Sequence, residues 1–150
     1  MTVDVFLRPV REEDVPAITA LCVQLGYPND EDDVRRRVRA LAAMLEDQVF
    51  VAVRGTAIVG WIHLHVRRAV ESGPAVEVGG IVVDEKCRGE GVGRMLMTHA
   101  DRWAAERGCS HVRLRSNVKR AGAHAFYQRI GFRIYKTQYA FEKEVLEGGR

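Results

Sequence analysis

A glycine-rich turn between a strand and a helix constrains this chain more than any other feature of its sequence. Before the turn, residues 78–83 form a short apolar run rich in β-branched side chains, which is typical of a buried strand. After it, apolar residues recur at helical spacing over residues 92–103. Three glycines stand between the two patterns: Gly89, Gly91 and Gly93. The sequence therefore predicts the order strand, turn, helix.

The start of that helix is suited to binding an anion. The first backbone N–H groups of a helix lack intrahelical acceptors and carry the positive end of the helix dipole. Glycines let a ligand approach this backbone, and Arg88 and Arg94 add positive charge. A phosphate or pyrophosphate is the predicted ligand. The alternative is an ordinary turn whose glycines serve only backbone geometry.

Two familiar phosphate-binding motifs do not fit this turn. A P-loop requires Gly-Lys-Ser/Thr where Gly93-Arg94-Met95 stands. The dinucleotide-binding fingerprint requires G-x-G-x-x-G, whereas these glycines are spaced G-x-G-x-G. The turn is therefore neither a P-loop nor a dinucleotide-binding loop.

The pattern Arg88-x-x-Gly91-x-Gly93 after an apolar strand resembles the acyl-CoA signature of the GCN5-related N-acetyltransferase (GNAT) superfamily. A second block, residues 114–132, is similar to another recurring block of that family. Its strand ends in Asn117, and its helix carries the pattern A-x-x-F-Y-x-x-x-G-F. Part of this block also resembles the aminoalkylphosphonate acetyltransferase branch. The resemblance covers roughly residues 3–143, and it is most specific in these two blocks.

Length and composition indicate one soluble globular domain spanning residues 1–150. Hydrophobic residues make up 47% and charged residues 29% of the chain, and no apolar run approaches the ~20 residues of a membrane span. The three cysteines show neither a disulfide framework nor zinc-ligand spacing, and no signal peptide is visible. We therefore expect a cytoplasmic protein without a metal. A net charge of +3 does not favour nucleic acid, but it suits a polyanionic cofactor.

Hydrophobic periodicity predicts the element order βαα-βββ-α-β-α-ββ. The predicted strands are residues 3–8 (ended by Pro9), 49–54, 57–66, the run before the turn, 111–116, 133–136 and 138–145. The predicted helices are residues 11–25, 30–47, 90–108 and 121–130, and residues 147–150 are predicted to fray. This order predicts a mixed α/β (α+β) protein with a central mixed sheet of about six or seven strands and about four helices. The resemblance implies the GNAT acyl-CoA N-acyltransferase fold.

The resemblance further implies a site for acetyl-CoA in a gap where the fourth and fifth strands splay apart. The pantetheine would pair with the backbone of Ile81, Val82 and Val83. The pyrophosphate would lie against the turn formed by Arg88, Gly89, Glu90, Gly91, Val92, Gly93 and Arg94. Asn117 would hydrogen-bond the cofactor arm, and Tyr127 would lie near the thioester sulfur.

Amine acetylation requires few further groups. An amine with a pKa near ~10 must lose a proton before it attacks the thioester. The backbone N–H of Val82 or Val83 is placed to stabilise the oxyanion, and Tyr127 is predicted to protonate the leaving thiolate. Glu77 is predicted to be the general base, directly or through water. The alternatives are core packing for Tyr127 and a solvated strand edge for Glu77.

Two further groups of residues leave alternatives open. His63 and His65 share one strand face, where they could bind a metal, pack, or line an acceptor pocket. Four arginines crowd the second predicted helix: Arg35, Arg36, Arg37 and Arg39. They form either a docking surface for an acidic partner or a solvated helix face balanced by nearby acidic residues.

We therefore predict a transferase, an acetyl-CoA-dependent N-acetyltransferase that acts by direct attack of a small-molecule primary amine in a ternary complex. The alternatives are a protein lysine or N-terminal acetyltransferase and a non-catalytic CoA-binding regulator. No nucleic-acid or membrane partner is expected. Tyr135, Tyr139 and Phe141 could support a homodimer, or they could complete the monomer's own sheet.

Overall fold

The computed structural model describes residues 4–146, which form two compact units that divide after Arg115. The first unit contains one sheet with strands in chain order, β1-β2-β3-β4-β5. The first four strands pair antiparallel, and β5 runs parallel to β4. Their bounds are β1 Val5–Pro9, β2 Asp47–Arg54, β3 Ala57–Arg67, β4 Ala75–Val83 and β5 Val112–Leu114.

Helices cover both faces of this sheet. A 3-10 turn, Glu12–Asp14, precedes the first of three α-helices in this unit: α1 Val15–Leu25, α2 Glu31–Ala42 and α3 Val92–Glu106. On one face, Val51 and Val53 of β2 pack against buried apolar side chains of α1 and α2. On the other, the Phe50 ring meets that of His99 edge-on, with ring centroids 4.1 Å apart. Alternate residues of β2 therefore point into two separate cores.

Gly60 in β3 lets the start of α3 lie close to the sheet. A Cβ atom on this residue would lie 2.9 Å from the backbone oxygen of Val82. It would also contact Val92 and Leu96 of α3 at 3.5 and 3.6 Å. Because that space belongs to backbone and helix, a glycine is needed here.

The second unit contains the helix α4, Ala121–Arg129, followed by a segment without regular secondary structure. The predicted strands at residues 133–136 and 138–145 are therefore wrong, and the described residues contain five strands rather than about six or seven. Tyr139 and Phe141 are 90% and 92% exposed. Alternating aromatic and polar residues favour an extended chain, but a strand exists only where a neighbouring backbone accepts and donates its hydrogen bonds.

Other differences concern element ends. The second helix ends at Ala42 rather than residue 47, because Asp47 already pairs with His65 in the sheet. Pro9 belongs to β1 instead of ending it, which an edge strand tolerates. Val3 and the predicted frayed tail lie outside the described residues. None of the helices in residues 4–146 is long and apolar enough to cross a membrane.

Candidate active site

The fourth strand is paired on both sides along only part of its length. β3 accompanies β4 over all of Ala75–Val83, whereas β5 pairs with residues 76–78 alone. Among the described residues, the edge of residues 79–83 that faces away from β3 has no partner strand. The second half of β4 therefore has an unpaired edge, called the gap below, at the junction where the family resemblance implied a splay.

A β-bulge marks the start of this gap. The pairing of β3 with β4 steps from His63 opposite Gly80 to Leu64 opposite Val78. Gly79 is thus an extra residue without a partner, and it is exposed to solvent. An added residue shifts the alternation of every backbone group that follows it.

That shift decides which backbone groups face the gap. The N–H of Asp84 donates to the backbone oxygen of Val59 in β3 at 2.8 Å. Since backbone groups alternate in direction along a strand, Val82 also turns its N–H and C=O toward β3. Ile81 and Val83 then turn theirs toward the gap. Of the two predicted oxyanion donors, Val83 has the required direction.

The turn after β4 is held open by backbone geometry. Gly89 and Gly91 have φ values of +81° and +89°, a region that other residues enter only at a cost. Apart from adjoining residues, no atom of residues 4–146 lies within 4 Å of where their Cβ atoms would be, so no other side chain covers the turn at these two positions. Gly91 caps α3, and its carbonyl accepts the N–H of Met95 at 3.0 Å. The unpaired N–H groups at the start of α3 are therefore accessible to an anion.

Side chains from neighbouring elements hold this turn in place. Gln24 of α1 accepts the backbone N–H of Glu85 at 2.9 Å. Arg54 of β2 donates to the Sγ of Cys87 at 3.3 Å and to a carboxylate oxygen of Glu90 at 3.1 Å. Because Glu90 is neutralised in this way, its charge does not oppose an anionic ligand. Arg88 and Arg94 are exposed, and neither makes an ion pair within residues 4–146.

In the second unit, Asn117 organises the approach to α4. Its Oδ1 accepts the backbone N–H of Lys119 at 2.9 Å. Its backbone oxygen accepts the N–H of Arg120 at 3.0 Å and the ring N–H of His124 at 2.8 Å. With Oδ1 used locally, the side-chain amide N–H group is the part of Asn117 suited to bind a ligand.

Tyr127 lies in an aromatic cluster of the same unit. Its ring centroid is 5.6 Å from that of Phe126 and 5.9 Å from that of Phe132. Burial raises the pKa of the Tyr127 phenol above its ordinary value, although Arg120 acts in the opposite direction. The phenol is therefore protonated at neutral pH, which a proton donor requires. The ring packs against neighbours as well, so packing and acid chemistry are compatible here.

Glu77 lies inside the sheet rather than at a solvated edge. It is half-buried and stands opposite His65 of β3 and Arg113 of β5. It also lines a small polar pocket together with Arg67, Ser72, Gly73 and Arg113. Glu77 precedes the bulge by two positions, which places a carboxylate just before the gap begins.

Asp47 is a candidate site residue that the sequence did not predict, because its helical pattern placed this residue at the end of the second helix. In the structure Asp47 begins β2, and its Oδ1 lies 2.8 Å from Nε2 of His63 and 3.8 Å from Nδ1 of His65. Within residues 4–146, no three histidine, cysteine or acidic side chains are grouped so that they could hold a metal ion. The sequence gives no clear signal for this strand start, because residues 47–53 show no alternation of buried and exposed side chains.

The arginines of α2 are balanced by local acceptors. Arg35 pairs with Glu31 at 3.2 Å and Asp32 at 3.0 Å. The remaining contacts join Arg36 to Asp33, Arg37 to Asn29, and Arg39 to Glu12. These pairs agree with the interpretation of a solvated helix face.

Comparison with known proteins identifies the class. The family model described as "Acetyltransferase (GNAT) family" matches residues 13–132, so this chain belongs to the GNAT acetyltransferases. This family membership confirms two predictions, the GNAT fold and an acetyl-CoA-dependent N-acetyltransferase.

Relatives and solved structures agree with this assignment. The chain is 30% identical to the aminoalkylphosphonate N-acetyltransferase of Salmonella typhimurium, covering 91% of this chain and 89% of that protein. It is 29% identical to an uncharacterized N-acetyltransferase, YhdJ, of Bacillus subtilis, with 89% and 90% covered. The structure of the aminoglycoside N-acetyltransferase AAC(6')-Iy in complex with CoA superimposes with a TM-score of 0.87, at 19% identity and 97% and 98% coverage. At that identity the superposition shows the fold alone.

The open turn before α3 gives a first testable prediction. Replacing Gly91 by Glu is expected to abolish measurable CoA binding, because it puts bulk and negative charge where an anion would lie. Calorimetric titration with CoA measures the effect. The matched control is Gly55→Glu, since Gly55 also has a positive φ and open space around it but lies in the β2–β3 hairpin. Unchanged affinity in Gly91→Glu would remove the turn from the cofactor site.

Proposed function

We propose that this protein transfers the acetyl group of acetyl-CoA to the primary amine of a small molecule, by direct attack in a ternary complex. The observation that carries this proposal is the gap beside the second half of β4, which leads to the open turn at the start of α3. CoA has amide groups at one end and a pyrophosphate at the other, so it matches a gap that leads to an open turn.

In this proposal the pantetheine arm lies along the gap as an added strand. Its amides pair with the backbone of Ile81 and Val83, while Val82 ties β4 to β3. The pyrophosphate lies at the start of α3 and receives hydrogen bonds from the backbone N–H groups there. Arg88 and Arg94 add positive charge at the surface. The side-chain amide of Asn117 donates to the cofactor arm.

In this proposal, each step of the reaction is assigned to one group of the site. Glu77 removes a proton from the acceptor ammonium, directly or through water. The amine attacks the thioester carbon, and the N–H of Val83 stabilises the negative charge on the carbonyl oxygen. The C–S bond then breaks, and Tyr127 protonates the thiolate. Burial keeps the Tyr127 phenol protonated, so it has a proton to donate, but the raised pKa also makes it a weaker acid than an exposed tyrosine.

A small-molecule acceptor is favoured by the relatives of this chain. The named relatives include an aminoalkylphosphonate and an aminoglycoside N-acetyltransferase, each matched over most of its length. The pocket next to Glu77 carries both a carboxylate and guanidinium groups, from Arg67 and Arg113. A protein acetyltransferase and a non-catalytic CoA-binding regulator are the competing functions.

Thiol release from acetyl-CoA against a panel of amines tests the proposed function. The panel contains an aminoalkylphosphonate, a polyamine, an aminoglycoside, amino acids and a lysine-containing peptide. We expect turnover with at least one small amine and little with the peptide. Tight CoA binding with turnover on the peptide alone would favour a protein acceptor. Binding without any turnover would favour a regulator, and no CoA binding at all would overturn the proposal.

A second test concerns the proton donor. Tyr127→Phe is expected to lower kcat by roughly 10²-fold, in the range of general acid catalysis, while CoA affinity stays nearly unchanged. Steady-state kinetics at saturating acetyl-CoA measure this. Tyr139→Phe is the control, because it removes the same hydroxyl from an exposed position of the same unit. A Tyr127→Phe enzyme with normal kcat would limit this residue to packing.

We also propose that the exposed segment after α4 joins two copies of the chain. Its exposed large apolar side chains include Ile134, Tyr139, Phe141 and Val145. Light scattering is expected to give the mass of a dimer, and a Tyr139→Lys, Phe141→Lys double variant is expected to be monomeric. A monomeric parent protein would refute this assembly.

The proposed cellular setting is the cytoplasm. All three cysteines are free and buried, which suits a reducing compartment. Fractionation of cells that produce the protein tests this location. The proposal includes no metal, nucleic-acid or membrane partner.

A further inference from the structure

We propose that His63, held by Asp47, is a second proton acceptor for the acceptor amine, in addition to Glu77. This inference rests on the proposed function and adds a catalytic residue to it. It derives from the place where a carboxylate of β2, a histidine of β3 and the bulge of β4 come together.

Asp47 sets the state of the His63 ring. The Asp47 side chain is 11% exposed and the His63 side chain 22%, and Oδ1 lies 2.8 Å from Nε2. A carboxylate only accepts hydrogen bonds, so the proton of the neutral imidazole resides on Nε2. Nδ1 is then the basic nitrogen. Within residues 4–146, the ring makes no hydrogen bond other than the one to Asp47.

The other edge of the ring lies on the bulge. A Cβ atom on Gly79 would be 2.6 Å from Nδ1 of His63 and 3.1 Å from its Cε1. A Cβ atom on Gly80 would likewise collide with the Trp61 ring, at 2.8 Å. Two successive glycines therefore leave room for the two rings. Gly79 is solvent-exposed and begins the part of β4 that β5 does not pair with. In the proposed complex, Nδ1 therefore lies near the thioester and its acceptor amine.

Proton bookkeeping explains the use of two bases. An ammonium group loses two protons when it becomes an amide, and Glu77 takes the first before attack. As the C–N bond forms, the nitrogen becomes positively charged, and Nδ1 of His63 takes the second proton. The C–S bond breaks with its electron pair on sulfur, and the thiolate takes a proton from Tyr127, which regains one from solvent. Glu77 and His63 return their protons to solvent, so one proton is released per acetyl group.

His65 provides a matched control. It lies two residues further along β3 on the same face, 3.8 Å from Asp47, and its side chain is 38% exposed. Its partner across the ladder is Glu77 rather than the bulge. The charged and titratable neighbours of His63 on this face come from every adjoining strand: Asp47 of β2, His65 of β3, Glu77 of β4 and Arg113 of β5. If the loss of any histidine from this face disturbed the structure, kcat would fall alike in both alanine variants.

The experiment compares His63→Ala with His65→Ala, using the best amine of the panel. We expect His63→Ala to lower kcat at least about tenfold, with CoA affinity unchanged. We expect His65→Ala to retain nearly all of the parent protein's kcat. Imidazole added to His63→Ala is expected to restore part of the rate, because the lost ring leaves space beside Gly79. More basic substituted imidazoles should restore more. A purely structural role would show no dependence on basicity.

Nitrogen NMR of the parent protein gives a readout that does not depend on turnover. In the neutral form of the His63 ring we expect the proton on Nε2, and loss of this preference in Asp47→Asn. A proton on Nδ1, equal kcat in the two alanine variants, or absence of rescue would each overturn the inference. Unchanged CoA affinity shows that the variants are folded. A parent protein that turns over while His63→Ala matches it defeats this inference alone, whereas a parent protein inactive with every amine defeats the proposed function too.

Discussion

The termination of the β4–β5 ladder after three residue pairs is the constraint on which the rest of the site depends. A strand in the middle of a sheet cannot leave its backbone groups unpaired without cost, unless water or a ligand satisfies them. The second half of β4 has this open edge within the described part of the chain. A cofactor arm with its own amides can complete the ladder, so binding uses the same hydrogen bonds that hold the sheet together.

Glycines make this arrangement possible at three points with different physical reasons. Gly79 adds the extra residue that shifts the backbone alternation, so that Ile81 and Val83 address the gap. Gly60 lets α3 approach the sheet, which brings the start of that helix to the end of β4. Gly91 takes a left-handed conformation that turns the chain into α3. Each position excludes a side chain, by backbone contact at Gly60, by the His63 ring at Gly79 and by conformation at Gly91.

Ion pairs and hydrogen bonds shape the electrostatics of the site as much as the charged side chains without an ion pair do. Arg54 neutralises Glu90 and holds the turn, so the cationic side chains Arg88 and Arg94 remain to meet an anionic ligand. On the opposite side of β4, Asp47 orients His63 in the same way, by a hydrogen bond that determines which ring nitrogen is basic. In the proposed mechanism, one side of the strand binds the phosphates and the other transfers protons.

The sequence by itself determined the order of elements through β4, α3 and α4. Glycine spacing and arginines also located the turn that is proposed to bind the phosphates. These features are local, because strand and helix periodicity and backbone freedom can be read within a few residues. The two strands predicted after α4 are absent from residues 4–146 of the structure. The sequence could not reveal this, since a strand depends on a distant partner. The same holds for Asp47, whose role arises from pairing with His63 across the β2–β3 hairpin, and for the bulge at Gly79, which exists only as a mismatch between two strands. Only the tertiary structure decided which backbone groups face the gap, because their direction depends on the register between strands.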